Sequence, residues 1–339
     1  VFAGRPNPDE VVPLTLLLDD RAVRDSFGWA PAIDALRAAY AGDVADSRYP
    51  ERSMARGDGS WLRTLTGVSA DNGLMGAKLI AASMKSRQVS YLIPLFDEHT
   101  AELVALMDGQ SITGFRTAAT SAVAADLLAI AGDLDVAVIG SGFEANKHLR
   151  AVTAARALSS VSVWSPRAES RSRFVADLDD LELPLTAAQD AESAVGAANL
   201  VICAARSRDE SPTVRGAWLR PGTTVVSVGS TLPEQREVDV ELLVRAELIV
   251  ADMVDEVLHD TGDALAAKAA GVDLGSKTIS LADLVAGRHP GRTSSDQILV
   301  YKSVGSAVQD IAVAAMCLAE ARRLGRGVPL PVSIPPVQK

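Results

Sequence analysis

Residues Val136-Ala-Val-Ile-Gly-Ser-Gly-Phe-Glu-Ala145 run from a short apolar stretch through a Gly-x-Gly-x-x-Ala turn into a helix-patterned segment. Few folds accept that order, because it describes a strand, a tight turn and a helix packed back on the strand. Gly140 permits the turn, Gly142 lets backbone N–H groups come close to a pyrophosphate, and Ala145 leaves room between helix and strand. The helix start adds partial positive charge and unpaired donors. Gly140, Ser141, Gly142, Phe143, Glu144 and Ala145 are therefore candidate ligands of a nicotinamide or flavin dinucleotide. The plainer alternative is a glycine turn that binds nothing.

Strand-like runs follow at Val161–Trp164, Asn199–Cys203, Thr224–Val228 and Leu248–Ala251, with helical patterns between most of them. That alternation predicts a doubly wound parallel sheet of Rossmann type. The stretch from Ser60 to Asp108 has a different texture. Trp61–Val68, Leu74–Ser83, Ser90–Phe96 and Ala101–Met107 are β-rich and separated by turn residues such as Asp71-Asn72-Gly73, which predicts a mostly antiparallel meander. Leu14–Leu18 is a further short strand, Trp29–Ala41 has helical spacing, and Thr113 is expected to cap a long Ala-rich helix reaching about Ile130. A last amphipathic helix spans Ser306–Leu324, and the first dozen residues read as a loose leader. The expectation is an α/β protein in which a dinucleotide domain, 131–302, is inserted into an antiparallel α+β domain made of 1–130 and 303–339.

Composition narrows the function. A net charge of −10 argues against a nucleic-acid surface, which needs a basic stripe. No run is apolar for long enough to span a bilayer, and the first residues lack a signal-peptide pattern, so a cytoplasmic protein is expected. Cys203 and Cys317 lie in apolar runs and read as buried, inert thiols. His99, His148, His259 and His289 are scattered without a metal or nucleophile pattern; His99 and His148 are expected at the surface. Asp252 and Asp255 suggest no more than a helix cap.

Met107-Asp-Gly-Gln-Ser-Ile-Thr-Gly-Phe-Arg-Thr-Ala-Ala-Thr-Ser121 resembles the ornithine cyclodeaminase/μ-crystallin family, with its Asp-Gly, then Thr, then Arg-Thr-Ala-Ala string intact. The glycine loop, Gly229-Ser-Thr-Leu-Pro-Glu-Gln-Arg-Glu-Val-Asp239, and Lys302-Ser-Val-Gly305 with Asp310 beyond follow in the family's order. The resemblance covers about Leu14 to Gly327. It implies binding of NAD(H) or NADP(H), chemistry at the Cα–N bond of amino or imino acids, and a homodimer paired through the non-nucleotide domain. Arg52, Lys78 and Arg116 match the family's carboxylate-gripping cations. Thr117, Gly229 and Ser230 fall on its cofactor side.

A planar guanidinium can hold a carboxylate by two parallel hydrogen bonds, and an ammonium adds a point charge. Lys78 stands in an otherwise apolar strand, where desolvation would lower its pKa and let it exchange a proton with a substrate nitrogen. The bland alternatives are surface salt bridges for the arginines, an edge-strand lysine, and a Thr117 bonded back to its own helix. Arg63 is an additional cation where the family more often has an apolar stretch. Alternation in Trp61-Leu-Arg-Thr-Leu leaves it on the substrate face or in solvent, with solvent preferred; facing inward it would suit a second substrate carboxylate.

Cyclodeaminases of the family carry an Asp where this chain has Thr231, and a hydroxyl cannot replace a carboxylate base at neutral pH. The expected activity is therefore reduction of an imino acid, reversed as amino-acid dehydrogenation. The alternatives are an ammonia-lyase of cyclodeaminase type and a non-catalytic NADPH-binding protein. About 20 residues beyond Ala145, Ser165 and Arg167 stand where an NAD enzyme has a carboxylate. That favours NADP(H), with NAD(H) as the other possibility.

Overall fold

The computed structural model describes residues 15–205, 211–331 and 334–338; the expected leader lies outside them. Among the described residues the backbone forms one seven-stranded and one eight-stranded sheet. The first holds β1 (Leu16–Leu18), β2 (Ser53–Gly57), β3 (Ser60–Val68), β4 (Leu74–Ser83), β5 (Gln88–Asp97) and β6 (Leu103–Asp108). From β2 to β6 consecutive strands pair antiparallel, and β1 joins β6 in parallel. The turn residues act as their chemistry suggests. Gly73 takes a φ of +68°, and Asp97 Oδ1 accepts the His99 and Thr100 amides at 2.9 and 2.8 Å.

Strand alternation sorts this sheet into two faces. Arg63, Ile80 and Tyr91 are register partners across β3, β4 and β5, and Leu65 is opposite Lys78. These residues, with Trp61 and Val89, share the face turned toward the helices and the second sheet.

The second sheet holds β7 (Leu134–Ile139), β8 (Leu158–Trp164), β9 (Leu185–Ala187), β10 (Leu200–Cys203), β11 (Thr224–Ser227), β12 (Leu248–Ala251), β13 (Thr278–Ser280) and β14 (Leu299–Lys302). Its order is β13-β12-β14-β11-β10-β7-β8-β9, with every neighbouring pair parallel. The expected α/β architecture, a parallel Rossmann-type sheet beside a largely antiparallel one, is what the chain adopts. The chain leaves β7 on one side for β8 and later returns on the other as β10. A crevice therefore opens past the carboxyl ends of β7 and β10.

Helices α1 (Asp20–Asp25) and α2 (Trp29–Ala41) precede the first sheet, and α3 (Gln110–Leu128) leaves it. α3 is buried nearly all round, which explains why its sequence is Ala-rich rather than amphipathic. It begins at Gly109, not at Thr113, whose hydroxyl bonds back to Gly109 O at 2.8 Å. The second sheet is flanked by α4 (Phe143–Ala155), α5 (Ala168–Ala176), α6 (Ala191–Ala197), α7 (Val240–Arg245), α8 (Val254–Asp260), α9 (Gly262–Ala269) and α10 (Leu281–Val285). Then α11 (Ala307–Arg323) packs back on α2, α3 and β4, and β15 (Val328–Pro329) pairs with β1.

Candidate active site

Where the inner face of β3–β5 meets α3 and the carboxyl ends of the parallel strands, there is a cleft of about 370 Å³. Arg52, Lys78 and Arg116 all line it, although they come from a loop, a strand and a helix. Lys78 is 1% exposed and donates to Asp310 Oδ1 at 2.8 Å. Arg116 Nε is 3.0 Å from the same oxygen, and its Nη1 donates to Gln309 Oε1 at 2.5 Å. One buried carboxylate therefore serves two buried cations and leaves a net positive charge beside the cleft. Burial, helped by Arg116 and opposed by Asp310, pushes the Lys78 ammonium down to about 8. Arg52 is ion-paired with buried Glu256, which also accepts the Arg52 backbone N–H at 3.1 Å.

The stretch after β14 holds these groups in place. Asp252, at the end of β12, accepts Ser303 Oγ at 2.6 Å, Val304 N at 3.0 Å and Gly305 N at 2.8 Å. It also accepts Gln309 Nε2 at 2.9 Å, and Gln309 in turn meets Arg116. Asp252 is thus a loop clamp; α8 has Met253 as its N-cap, so the capping role expected for Asp252 and Asp255 is not the one found. Gly305 has a φ of +86°, and a Cβ there would lie 2.5 Å from Arg116 Nη1. Only glycine lets the backbone turn beside that guanidinium.

On the coenzyme side, Gly140 follows β7 with a φ of +115°, and a Cβ there would lie 2.6 Å from Ala204 O at the end of β10. Gly142 caps α4, makes no side-chain cap bond, and a Cβ added to it would meet nothing within 4 Å. A helix start with open space before it fits a pyrophosphate. Ala145 is fully buried, as helix-to-strand packing requires, while Phe143 is exposed. Ser141 Oγ donates to Ser165 Oγ at 2.8 Å, and Arg171 Nη1 donates to Ser165 O at 2.5 Å. Arg167 is the exposed N-cap of α5. Glu144, Thr117, Gly229 and Thr231 line the cleft itself. Thr117 also bonds back to Thr113 O at 2.7 Å, so its hydroxyl hydrogen is already engaged. Ser230 is fully buried and donates to Gln235 O at 2.6 Å.

Two sequence expectations are corrected. Arg63 does not point to solvent; it lines the cleft, because it shares the strand face of Leu65 and Trp61. His148 is fully buried rather than on the surface: its ring nitrogens meet Glu144 O at 2.7 Å and Ser121 Oγ at 3.0 Å, and burial pushes its pKa down to about 4. Sequence reasoning gave no role to Gln309, Asp310 or Glu256. The available signal was a polar pair, Gln309-Asp310, set in the apolar run Val308–Val313. Glu237 was also overlooked. It is buried under the Gly229 turn, accepts Ser227 Oγ at 2.7 Å and Gly229 N at 2.8 Å, and is raised by burial to about 7.

The model of the ornithine cyclodeaminase/mu-crystallin family matches residues 61–323. The chain is 31% identical over 294 residues to a Delta(1)-pyrroline-2-carboxylate reductase of Paracoccus denitrificans, covering 85% of this chain and 91% of that one. It is 29% identical over 261 residues to the ketimine reductase mu-crystallin of Mus musculus, covering 75% and 78%. Among solved structures, the Delta(1)-pyrroline-2-carboxylate reductase of Thermococcus litoralis, in complex with NADH and L-proline, superposes with a TM-score of 0.86 at 26% identity, over 93% of this chain and 100% of that one.

Proposed function

The chain belongs to the ornithine cyclodeaminase/mu-crystallin family, and we propose that it acts there as a nicotinamide-dependent reductase of an imino acid, reversible as an amino-acid dehydrogenase. One observation carries the reading: three cations from separate stretches of chain line a single cleft together with Glu144 of the glycine loop. The names of its relatives, pyrroline-2-carboxylate and ketimine reductases, point to the same bond.

Arg116 and Arg52 grip the substrate carboxylate through the guanidinium N–H groups left over from Gln309, Asp310 and Glu256. Lys78 adds charge and carries the proton to or from the substrate nitrogen, for which an ammonium near pH 8 is suited. The glycine loop would hold a reduced nicotinamide, which would supply hydride for the imine carbon. Leu65, Ile80 and Val228 line the same cleft and restrict water there. Thr231 sits where a cyclodeaminase would need a carboxylate, and both its N–H and its hydroxyl turn to Gln235 Oε1, at 3.0 and 3.4 Å.

Among coenzymes we favour NADP(H) over NAD(H), since Ser165 and Arg167 follow β8 with no carboxylate between strand and helix. We assign residues 1–130 with 303–339 to substrate binding and dimerisation and 131–302 to coenzyme binding. The outer face of the first sheet exposes Leu62 and Leu92, an apolar surface suited to a second copy. No described helix is long and apolar enough to cross a membrane, and two unpaired, buried cysteines suit the cytoplasm. The test is coenzyme consumption over a panel of cyclic and acyclic imino acids, with NADH and NADPH in parallel. Turnover is expected; silence across the panel with both coenzymes overturns the reading.

A further inference from the structure

Arg52, Arg63, Lys78 and Arg116 line the cleft, as does Glu144, and behind the lining Glu256 and Asp310 ion-pair with three of the four cations. Glu256 is taken by Arg52 through backbone and guanidinium together, and Asp310 is shared by Lys78 and Arg116. Counting these ion pairs among the described residues, two of the four positive charges are left without a counter-charge of their own. A substrate α-carboxylate beside Lys78 and Arg116 uses one of them.

The other is Arg63. Among the described residues no carboxylate is ion-paired with it, and its Nε is buried without a hydrogen-bond partner. Its guanidinium lies over the Trp61 ring, 5.3 Å from the centroid, a contact that leaves its charge unneutralised. Burial and neighbouring Arg52 work against its charged form and Glu256 offsets them only in part, so an anion arriving there relieves a standing electrostatic cost. Arg63 is opposite Ile80, and Lys78 is two residues along β4 on the same face. The two cations are therefore diagonal neighbours, with backbones about 7–8 Å apart. A small molecule with an anion at each end can span that separation.

We propose that Arg63 receives a second carboxylate carried on the substrate side chain, so that the preferred substrate is a dicarboxylic imino acid. This rests on the reductase reading for the reaction but not for the binding. Glu144 lines the same cleft from α4, after the glycine loop, and Arg63 lines it from β3.

Two experiments separate the claims. Binding of succinate and of butyrate, equal in length and differing by one carboxylate, is measured by calorimetry on wild type, Arg63→Met and Arg63→Lys. Wild type is expected to prefer succinate by about 10- to 100-fold, Arg63→Met to lose that preference, and Arg63→Lys to keep part of it. Equal affinities in wild type, or loss of both ligands in proportion in Arg63→Met, overturns the proposal. In the second experiment, kcat/KM with reduced coenzyme is compared for imines formed from methylamine with oxaloacetate and with 2-oxobutyrate. A dicarboxylate preference that collapses in Arg63→Met is expected. Reduction of the monocarboxylic imine in preference leaves the reductase standing and removes this inference. Failure of both imines, together with silence across the wider panel of cyclic and acyclic imino acids, removes the reductase reading, while the succinate–butyrate comparison still decides the role of Arg63.

Discussion

Replacing Asp310 by Asn removes a charge but keeps a side chain of the same shape, 2.8 Å from Lys78. In the native protein Lys78 titrates at about 8 rather than 10.5. As the proposed proton donor, Lys78 is competent below that pH, so kcat/KM for imine reduction should fall about tenfold per pH unit above it, and oxidation of the amino acid should rise over the same range. An opposite charge within ion-pair distance holds a pKa by about 1–3 units. In Asp310→Asn the alkaline limb of reduction should therefore move to about pH 5–7. The assay is initial-rate coenzyme consumption from about pH 5 to pH 10, taken as the ratio of variant to wild type so that titration of the imine itself cancels. Stability runs the other way. Folded Lys78 has a depressed pKa, so between about 8 and 10.5 the unfolded chain binds more protons and the fold gains stability as pH rises. That gain amounts to as much as about 3 kcal/mol, and it should be absent from Lys78→Met in denaturant melts. A reductive limb that Asp310→Asn leaves unmoved would refute the assignment of Lys78 as the proton carrier.

Gly305→Ala places a Cβ 2.5 Å from Arg116 Nη1 at a φ of +86°; it should raise KM for the imino acid at least about tenfold, seen in steady-state kinetics at saturating coenzyme. Gly140→Ala meets Ala204 O at 2.6 Å with a φ of +115°; it should cost about 1–3 kcal/mol of stability and abolish the quenching or transfer signal of bound NAD(P)H. Because Thr231 supplies no carboxylate, the wild-type chain should release no ammonia from ornithine with catalytic NAD⁺; a coupled ammonia assay checks this, and turnover there would restore the cyclodeaminase alternative.

Legibility in the sequence followed how local the signal was. The unit from Leu134 to Ala155 is contiguous, and Leu74–Ser83 is a short apolar run bounded by the turn residues Asp71-Asn72-Gly73, so both are readable with near-correct limits. β14 was not expected, although it sits between β11 and β12 in the middle of the parallel sheet. It has only four residues, all buried, preceded by the polar stretch Thr293–Gln297, and so carries no period to detect. β2 was hidden because its residues are largely exposed and polar at the sheet edge. The side-chain errors share a cause. Whether Arg63 faces inward depends on the register of β3 against β4, and whether His148 is buried depends on α4 packing against α3. Neither is fixed by nearby residues.

The partners of the site lie far along the chain from the groups they hold. Asp310 is 232 positions from Lys78, and Gln309 is 193 from Arg116. What brings them together is the passage from β14 to α11. Lys302 closes the parallel sheet with its ammonium on Asp263 Oδ2 at 2.7 Å and on Ser227 Oγ at 2.9 Å. Ser303 to Gly305 are pinned by Asp252, and Gln309 with Asp310 then reach the cations of the first sheet and α3. Hydrogen bonds thereby join the parallel sheet's carboxyl edge to Arg116, and Asp310, next to Gln309 in the chain, meets Lys78. Asp252→Ala cuts this connection while touching neither the glycine loop nor the cleft cations directly. If the connection positions the cations, that variant should bind coenzyme with little change, yet lose kcat/KM for the imino acid about 10- to 100-fold. If coenzyme affinity falls in the same proportion, Asp252 only supports the fold and positions nothing.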